Sequence, residues 1–134
     1  METIIIQQVD PSVLDVVTLT LQQENYHVIP VLQPENDFLQ LIRTSSPCAI
    51  ILDFILNGDD AKAQIKYIKS LNHDIPVIAM SCNPDIDQTA PKFGFDRFIR
   101  KPFSLDELIE GVRSAIALAK GRLVALNVNK KVIA

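Results

Sequence analysis

Ala49-Ile50-Ile51-Leu52-Asp53-Phe54-Ile55-Leu56-Asn57-Gly58-Asp59-Asp60 joins an unbroken apolar run to a carboxylate and then to a turn-like acidic stretch. A carboxylate at the end of so apolar a run is costly unless a partner or a chemical task holds it there. Downstream, Ser81 ends Val77-Ile78-Ala79-Met80, and Lys101 ends Phe98-Ile99-Arg100. A carboxylate, a hydroxyl and an ammonium at successive strand ends make a candidate phosphoryl-transfer site. The first strand ends differently, in Gln7-Gln8-Val9, with no acidic pair.

Working outward, strand-like runs rich in Ile and Val recur near Thr3 to Gln8, Tyr26 to Leu32, Cys48 to Asp53, Ile75 to Ser81 and Phe95 to Arg100. Their composition suits a buried, pleated sheet. Helical patterns lie between them. Asp10-Pro11 reads as an N-cap with proline at the first helical position, followed by the stripe Val13, Leu14, Val17, Leu21. Pro34 is expected to open a second helix with Phe38, Leu41 and Ile42 inward, and Asp59-Asp60 a third. In the third, Ile65 and Ile68 face inward and Lys62, Lys66 and Lys69 form a solvated face. Asn83-Pro84 caps a short fourth helix that Pro91 limits. Ser104 and Glu107 form a capping box for a fifth, which Gly121 is expected to stop.

Strands alternating with helices imply a flavodoxin-like α/β fold: a doubly wound, five-stranded parallel sheet with helices on both faces. Pro30 lacks an N–H, so the second strand belongs at an edge, which the order 2-1-3-4-5 provides. Ligands of such sheets bind outside the carboxyl ends of the strands, at the switch between strands one and three. Residues 1–121 are read as the domain and 122–134 as a C-terminal tail whose structure the pattern does not determine.

Composition bounds the function classes. The chain has 134 residues, 48% of them apolar and 22% charged, enough for one globular domain with a real core. A net charge of −3 offers no basic surface for nucleic acid. No apolar run approaches the ~20 residues that span a bilayer, and Met1-Glu2-Thr3 does not open a signal peptide. Cys48 and Cys82 lie far apart, as do His27 and His73, which argues against zinc and for a reducing cytoplasm. Cys82 reads as a small buried residue. The phenylalanines Phe93, Phe95, Phe98 and Phe103 read as core and rim packing rather than a base-stacking platform.

Three pieces, in order, carry a resemblance: Asp53 to Asp60, Ile75-Pro76-Val77-Ile78-Ala79-Met80-Ser81, and Gly94 with Lys101-Pro102-Phe103. Together they resemble the receiver domain of bacterial response regulators over about residues 3 to 120, and Lys-Pro-Phe opening the last helix is the most specific piece. The resemblance implies that Asp53 accepts phosphate from a histidine kinase, that Ser81 hydrogen-bonds a phosphoryl oxygen, and that Lys101 pairs with the phosphoryl group or with free Asp53. It further implies a cis Lys101-Pro102 peptide, an aromatic switch at Phe98, and an output surface on the fourth helix, fifth strand and fifth helix. A carboxylate nucleophile helped by a divalent ion and a lysine is sound phosphoryl-transfer chemistry.

The likeness breaks where the family carries two adjacent acids that hold Mg²⁺. Gln8 and Val9 stand there, leaving Asp53, the Ile55 carbonyl and, if the strand end bulges, Asp10 as metal ligands. Asp10 reads more simply as the N-cap of the first helix, which Asp-Pro at a helix start favours. Net charge around a metal would be near zero once Lys101 is counted, so weak Mg²⁺ binding and slow or absent phosphorylation are expected. The expectation is a stand-alone, atypical signalling receiver that contacts a kinase or another protein, with a homodimer left open. A conventional phosphorylatable receiver is the close variant. A flavodoxin-like cofactor carrier is the distant one, because Gln7 to Ser12 makes a poor phosphate loop. A structural ion pair between Asp53 and Lys101, without chemistry, is the plain alternative.

Overall fold

A computed structural model describes residues 1–33, 37–54 and 58–133, with side chains at 58–60 and from 123 onward outside the description. The elements alternate strictly: β1 (Thr3–Gln7), α1 (Pro11–Gln23), β2 (His27–Val31), α2 (Phe38–Ser45), β3 (Ala49–Asp53), α3 (Gly58–Leu71), β4 (Val77–Ser81), α4 (Ile86–Lys92), β5 (Arg97–Arg100) and α5 (Leu105–Ile133). The strands are parallel in the order β2-β1-β3-β4-β5.

Period-two alternation divides the sheet into two apolar faces. Ile4 and Ile6 of β1 face α1 and α5, packing with Val17, Leu108 and Val112. Ile5 faces the other way, with Ile42, Ile65, Ile68 and Ile86. Burying Ile on both faces is what a parallel sheet requires, because crossover helices cover each side. Pro30 lies opposite Ile6 on the edge strand β2, where a missing N–H costs no ladder bond.

Helix ends follow local chemistry. Asp10 caps α1, its Oδ1 accepting from the Ser12 and Val13 amides at 2.8 and 3.4 Å. Ser104 Oγ accepts from the Glu107 amide at 3.1 Å and starts α5. Gly94 adopts φ +94°, and a Cβ there would meet Ile65 Cγ2 at 3.2 Å, so the turn into β5 requires glycine twice over.

Several expectations are corrected. Gly121 does not stop α5, which runs unbroken to Ile133 across the expected 121/122 boundary. Among the described residues, the adjoining helix backbone and chain neighbours aside, nothing lies within 4 Å of a Cβ built there. One helical glycine costs only about 1 kcal/mol, too little to end a helix flanked by good formers. The fourth helix begins at Ile86 with Asp85 as its N-cap, not at Asn83-Pro84. Asn83 instead folds the approach, its Oδ1 accepting from the Asp85 amide at 2.9 Å. Pro91 sits in the last turn of that seven-residue helix. The fifth strand starts at Arg97 rather than Phe95.

Lys69 also leaves the solvated series. Its Nζ donates to Asp96 Oδ2 at 2.6 Å and to the Ile75 carbonyl at 2.7 Å. Asp96 Oδ2 accepts the Val77 amide as well, at 2.8 Å. This clamp ties the end of α3 to the starts of β4 and β5, at the end of the sheet away from Asp53. Lys62 and Lys66 are exposed. Pro34 as a helix start lies outside the described residues.

Candidate functional site

β3 and β4 run in register, with Asp53 opposite Met80, and β4 and β5 likewise, with Ser81 opposite Arg100. The Lys101 amide then donates to the Ser81 carbonyl at 2.8 Å. Three neighbouring strands thus end at one rim and bring Asp53, Ser81 and Lys101 to a single cleft of about 570 Å³. Val9, Phe54, Cys82 and Asn83 complete its lining.

Asp53 is nearly sealed: its side chain is 2% exposed. Oδ1 accepts from Lys101 Nζ at 3.1 Å, and Oδ2 accepts from the Val9 amide at 3.2 Å. Its own amide donates to Gln7 Oε1 at 3.3 Å, while Gln7 Nε2 donates to the Leu32 carbonyl at 3.3 Å. Gln7 therefore bridges the end of β2 to the backbone of Asp53. Ser81 is buried, and its Oγ accepts from the Asn83 amide at 3.0 Å. The Lys101-Pro102 peptide is cis.

The positions expected to be acidic are filled in two different ways. Gln8 is fully buried, and neither its Nε2 nor its Oε1 has a hydrogen-bond partner among the described residues. Its amide N–H extends the ladder to the Val31 carbonyl at 3.1 Å. Val9 leaves the sheet and is 44% exposed at the rim. Asp10 is occupied with capping, and the Ile55 carbonyl lies outside the described residues.

This donor set does not fit Mg²⁺. The ion wants about six hard oxygens and takes its charge from carboxylates. Among the described residues one carboxylate lines the cleft, and each of its oxygens already accepts one hydrogen bond. No group of three or more His, Cys, Asp or Glu among the described residues is placed to hold a metal.

Phe98 lies on β5 opposite Ala79, 38% exposed, with the Arg100 guanidinium 5.5 Å from its ring centroid. Leu105, at the start of α5, is also exposed. On the α3 side the rings of Phe54, Phe93 and Phe95 form a contiguous group, with Phe54 5.3 Å from Phe93 and 5.5 Å from Phe95. Cys82 is exposed rather than buried, because β4 ends at Ser81 and the next residue faces the cleft. Cys48 is half-buried at the opposite end of the sheet; burial, and then the Glu2 carboxylate, raise its thiol to about 11. Tyr26 nearby is raised too, first by burial and then by Cys48.

Sequence reasoning missed one part of this site and one clamp at the far end of the sheet. Gln7 was read as the end of a strand, yet its amide is a structural bridge; a buried polar residue directly before the rim was the available signal. The Lys69–Asp96 clamp left no signal, since a lysine at helical spacing looks solvated until the facing acid is known.

Among the described residues no helix is long and apolar enough to cross a membrane. The DNA-binding transcriptional regulator NtrC of Klebsiella pneumoniae is 32% identical over 85 residues, which cover 61% of this chain and 18% of that protein. The response regulator MprA of Mycolicibacterium vanbaalenii is 24% identical over 94 residues, covering 69% of this chain and 41% of its own. The chain thus matches less than half the length of these curated relatives. Among solved structures, NtrX of Brucella abortus in complex with ADP superposes with a TM-score of 0.84 at 23% identity, over 100% of this chain and 30% of that one. The Vibrio cholerae chemotaxis protein CheY4 gives 0.71 at 19% identity, over 86% and 98%. Both structural likenesses speak for the fold. Residues 4–113 match the response regulator receiver domain, and with most of its length so matched the chain belongs to that family of two-component signalling domains.

Proposed function

We propose that this receiver domain is a magnesium-poor variant that signals through protein–protein contact, with phosphorylation of Asp53 weak or absent. The observation that supports the reading is the state of Asp53: both carboxylate oxygens accept from Lys101 and the Val9 amide, and among the described residues no second carboxylate lines the cleft. A nucleophile so neutralised offers little charge to hold the metal that would gather and orient an incoming phosphoryl donor. Partner contact is assigned to α4, β5 and α5, where Phe98, beside the Arg100 guanidinium, and Leu105 are exposed. A histidine kinase or another signalling protein is the expected partner. The domain performs no chemistry on an external substrate.

The conventional reading keeps one observation in its favour, the convergence of Asp53, Ser81 and Lys101 on one cleft. Incubation with acetyl phosphate and Mg²⁺, followed by intact mass, separates the two. The expected result is no adduct, or one that forms far more slowly than in a receiver with both acids. A rapid, near-complete adduct lost in Asp53→Ala would establish the conventional switch. Saturable amide shifts at Val9 and Asp53 with millimolar Mg²⁺ would also defeat the proposal.

A further inference from the structure

At the end of the sheet away from Asp53, two cations meet without an anion. Arg97, at the start of β5, and Arg122, in α5, line one groove of about 120 Å³ with Asp96, Ala115 and Leu118. Both arginines are exposed, and neither has an ion-pair partner among the described residues. Lys69, Arg100, Lys101, Arg113 and Lys120 each have one. Residues 123–134 contain no Asp or Glu, so the chain beyond Arg122 supplies no acidic side chain to the groove. Asp96 is its one carboxylate, and its Oδ2 already accepts from Lys69 Nζ at 2.6 Å and the Val77 amide at 2.8 Å. Ala115 is buried and Leu118 is 51% exposed, so apolar surface accompanies the two guanidinium groups.

We propose that this groove docks an acidic segment of a partner protein, with a Glu or Asp carboxylate held by Arg97 and Arg122 and an adjoining apolar side chain against Leu118. The proposal goes beyond the reading of Asp53 and stands whether or not that residue is phosphorylated. Arginine stays charged near neutrality, and its planar fork matches a carboxylate with two parallel hydrogen bonds. Complementary charge at an exposed rim contributes specificity and encounter rate more than affinity. A nucleic acid fits less well. The net charge of −3 repels an extended polyanion, and two arginines over so small a groove neutralise few phosphates.

Exposed ion pairs contribute little each, so an isolated peptide should bind weakly, with Kd roughly millimolar. Arg97→Gln and Arg122→Gln should each weaken it about two- to fivefold. Leu118→Ala should weaken it about two- to threefold through lost apolar contact. Raising the ionic strength to about 0.5 M should weaken it as well, because exposed charges are then screened over a few ångströms. All three side chains are exposed, so the variants should keep the wild-type spectrum elsewhere.

The experiment is a titration of the ¹⁵N-labelled chain with a short, end-blocked peptide alternating Leu and Glu, against its Gln counterpart and an oligothymidylate. Saturable shifts at Arg97, Leu118 and Arg122 with the Glu peptide, absent with the Gln peptide and weakened in both arginine variants, support the proposal. No saturable shift, or equal shifts with the Gln peptide, overturns it. Tighter binding of the oligothymidylate assigns the groove to a nucleic-acid backbone and overturns it. Shifts at these residues that follow protein concentration with no peptide present assign a second copy of the chain, and overturn it as well. None of these outcomes bears on Asp53, which acetyl phosphate and intact mass test separately.

Discussion

Lys101 Nζ lies 3.1 Å from Asp53 Oδ1, and the two side chains are 16% and 2% exposed. A pair this enclosed is governed by desolvation as much as by attraction. Taking two charges out of water is costly, and their mutual field offsets that cost only with good geometry and further hydrogen bonds. The Val9 amide supplies one such bond, on Oδ2. Breaking the pair from one side is therefore worse than removing both charges.

Lys101→Met leaves the sealed Asp53 carboxylate unpaired and should destabilise the domain by about 3 kcal/mol. Asp53→Asn keeps an acceptor for the Val9 amide and leaves the better-exposed partner, so its cost should be smaller. The double variant should recover much of the loss. Urea unfolding of the four proteins, read as a double-mutant cycle, checks the coupling; additive single effects would show that the pair contributes nothing.

The adjacent glutamines should behave oppositely. Gln7→Leu strips partners from the Asp53 amide and the Leu32 carbonyl, and should cost about 1–2 kcal/mol. Gln8→Leu removes an amide that has no hydrogen bond among the described residues, and should be neutral or stabilising by up to about 1 kcal/mol. Denaturant midpoints decide it, and amide exchange at Asp53 should quicken in Gln7→Leu alone.

Restoring the acids should restore metal binding. In the double variant Gln8→Asp, Val9→Asp, two carboxylates join Asp53, and saturable Mg²⁺ shifts should appear at millimolar metal or below. An acetyl phosphate adduct should follow by intact mass. The same variant should be less stable than wild type without Mg²⁺, since Gln8 is fully buried and an unpaired charge there is costly. Loss of folding would show as a collapsed spectrum, so the metal result is read only on variants with dispersed amides.

The two thiols should react unequally. Cys48, raised to about 11 by burial and by Glu2, holds little thiolate at pH 8, so iodoacetamide should modify exposed Cys82 first. The same shift gives a pH trend. The folded state keeps the Cys48 proton that the unfolded chain loses near its usual 9.0, so this contribution is complete below pH 9 and falls away between about 9 and about 11. Tyr26, also raised, acts in the same direction. Thermal midpoints should decline over that window less steeply in Cys48→Ala.

Much of this architecture could be read directly from residues. Ile runs of strand length, Pro30 and the Asp10 and Ser104 caps were enough for a parallel sheet with β2 at its edge, because periodicity and capping act over a few residues. Cap positions without such a strong motif were harder. Asn83-Pro84 looked like a helix start, yet Asn83 shapes the loop and Asp85 takes the boundary. Gly121 looked like a stop, but one helical glycine costs too little to end the helix, and among the described residues no other element reaches that position.

By itself the sequence determined the order of elements, the two-sided burial of the sheet and the absence of the acidic pair at residues 8 and 9, all properties of residue type and local spacing. Only the tertiary structure decided that each Asp53 oxygen already accepts a hydrogen bond, that Gln7 ties its backbone to Leu32, that Gln8 is sealed away while Val9 takes the rim, and that Lys69 belongs to Asp96. Those facts depend on which side chains strands from distant parts of the chain bring within about 3 Å, the reach of a hydrogen bond. No periodicity along the chain encodes that meeting.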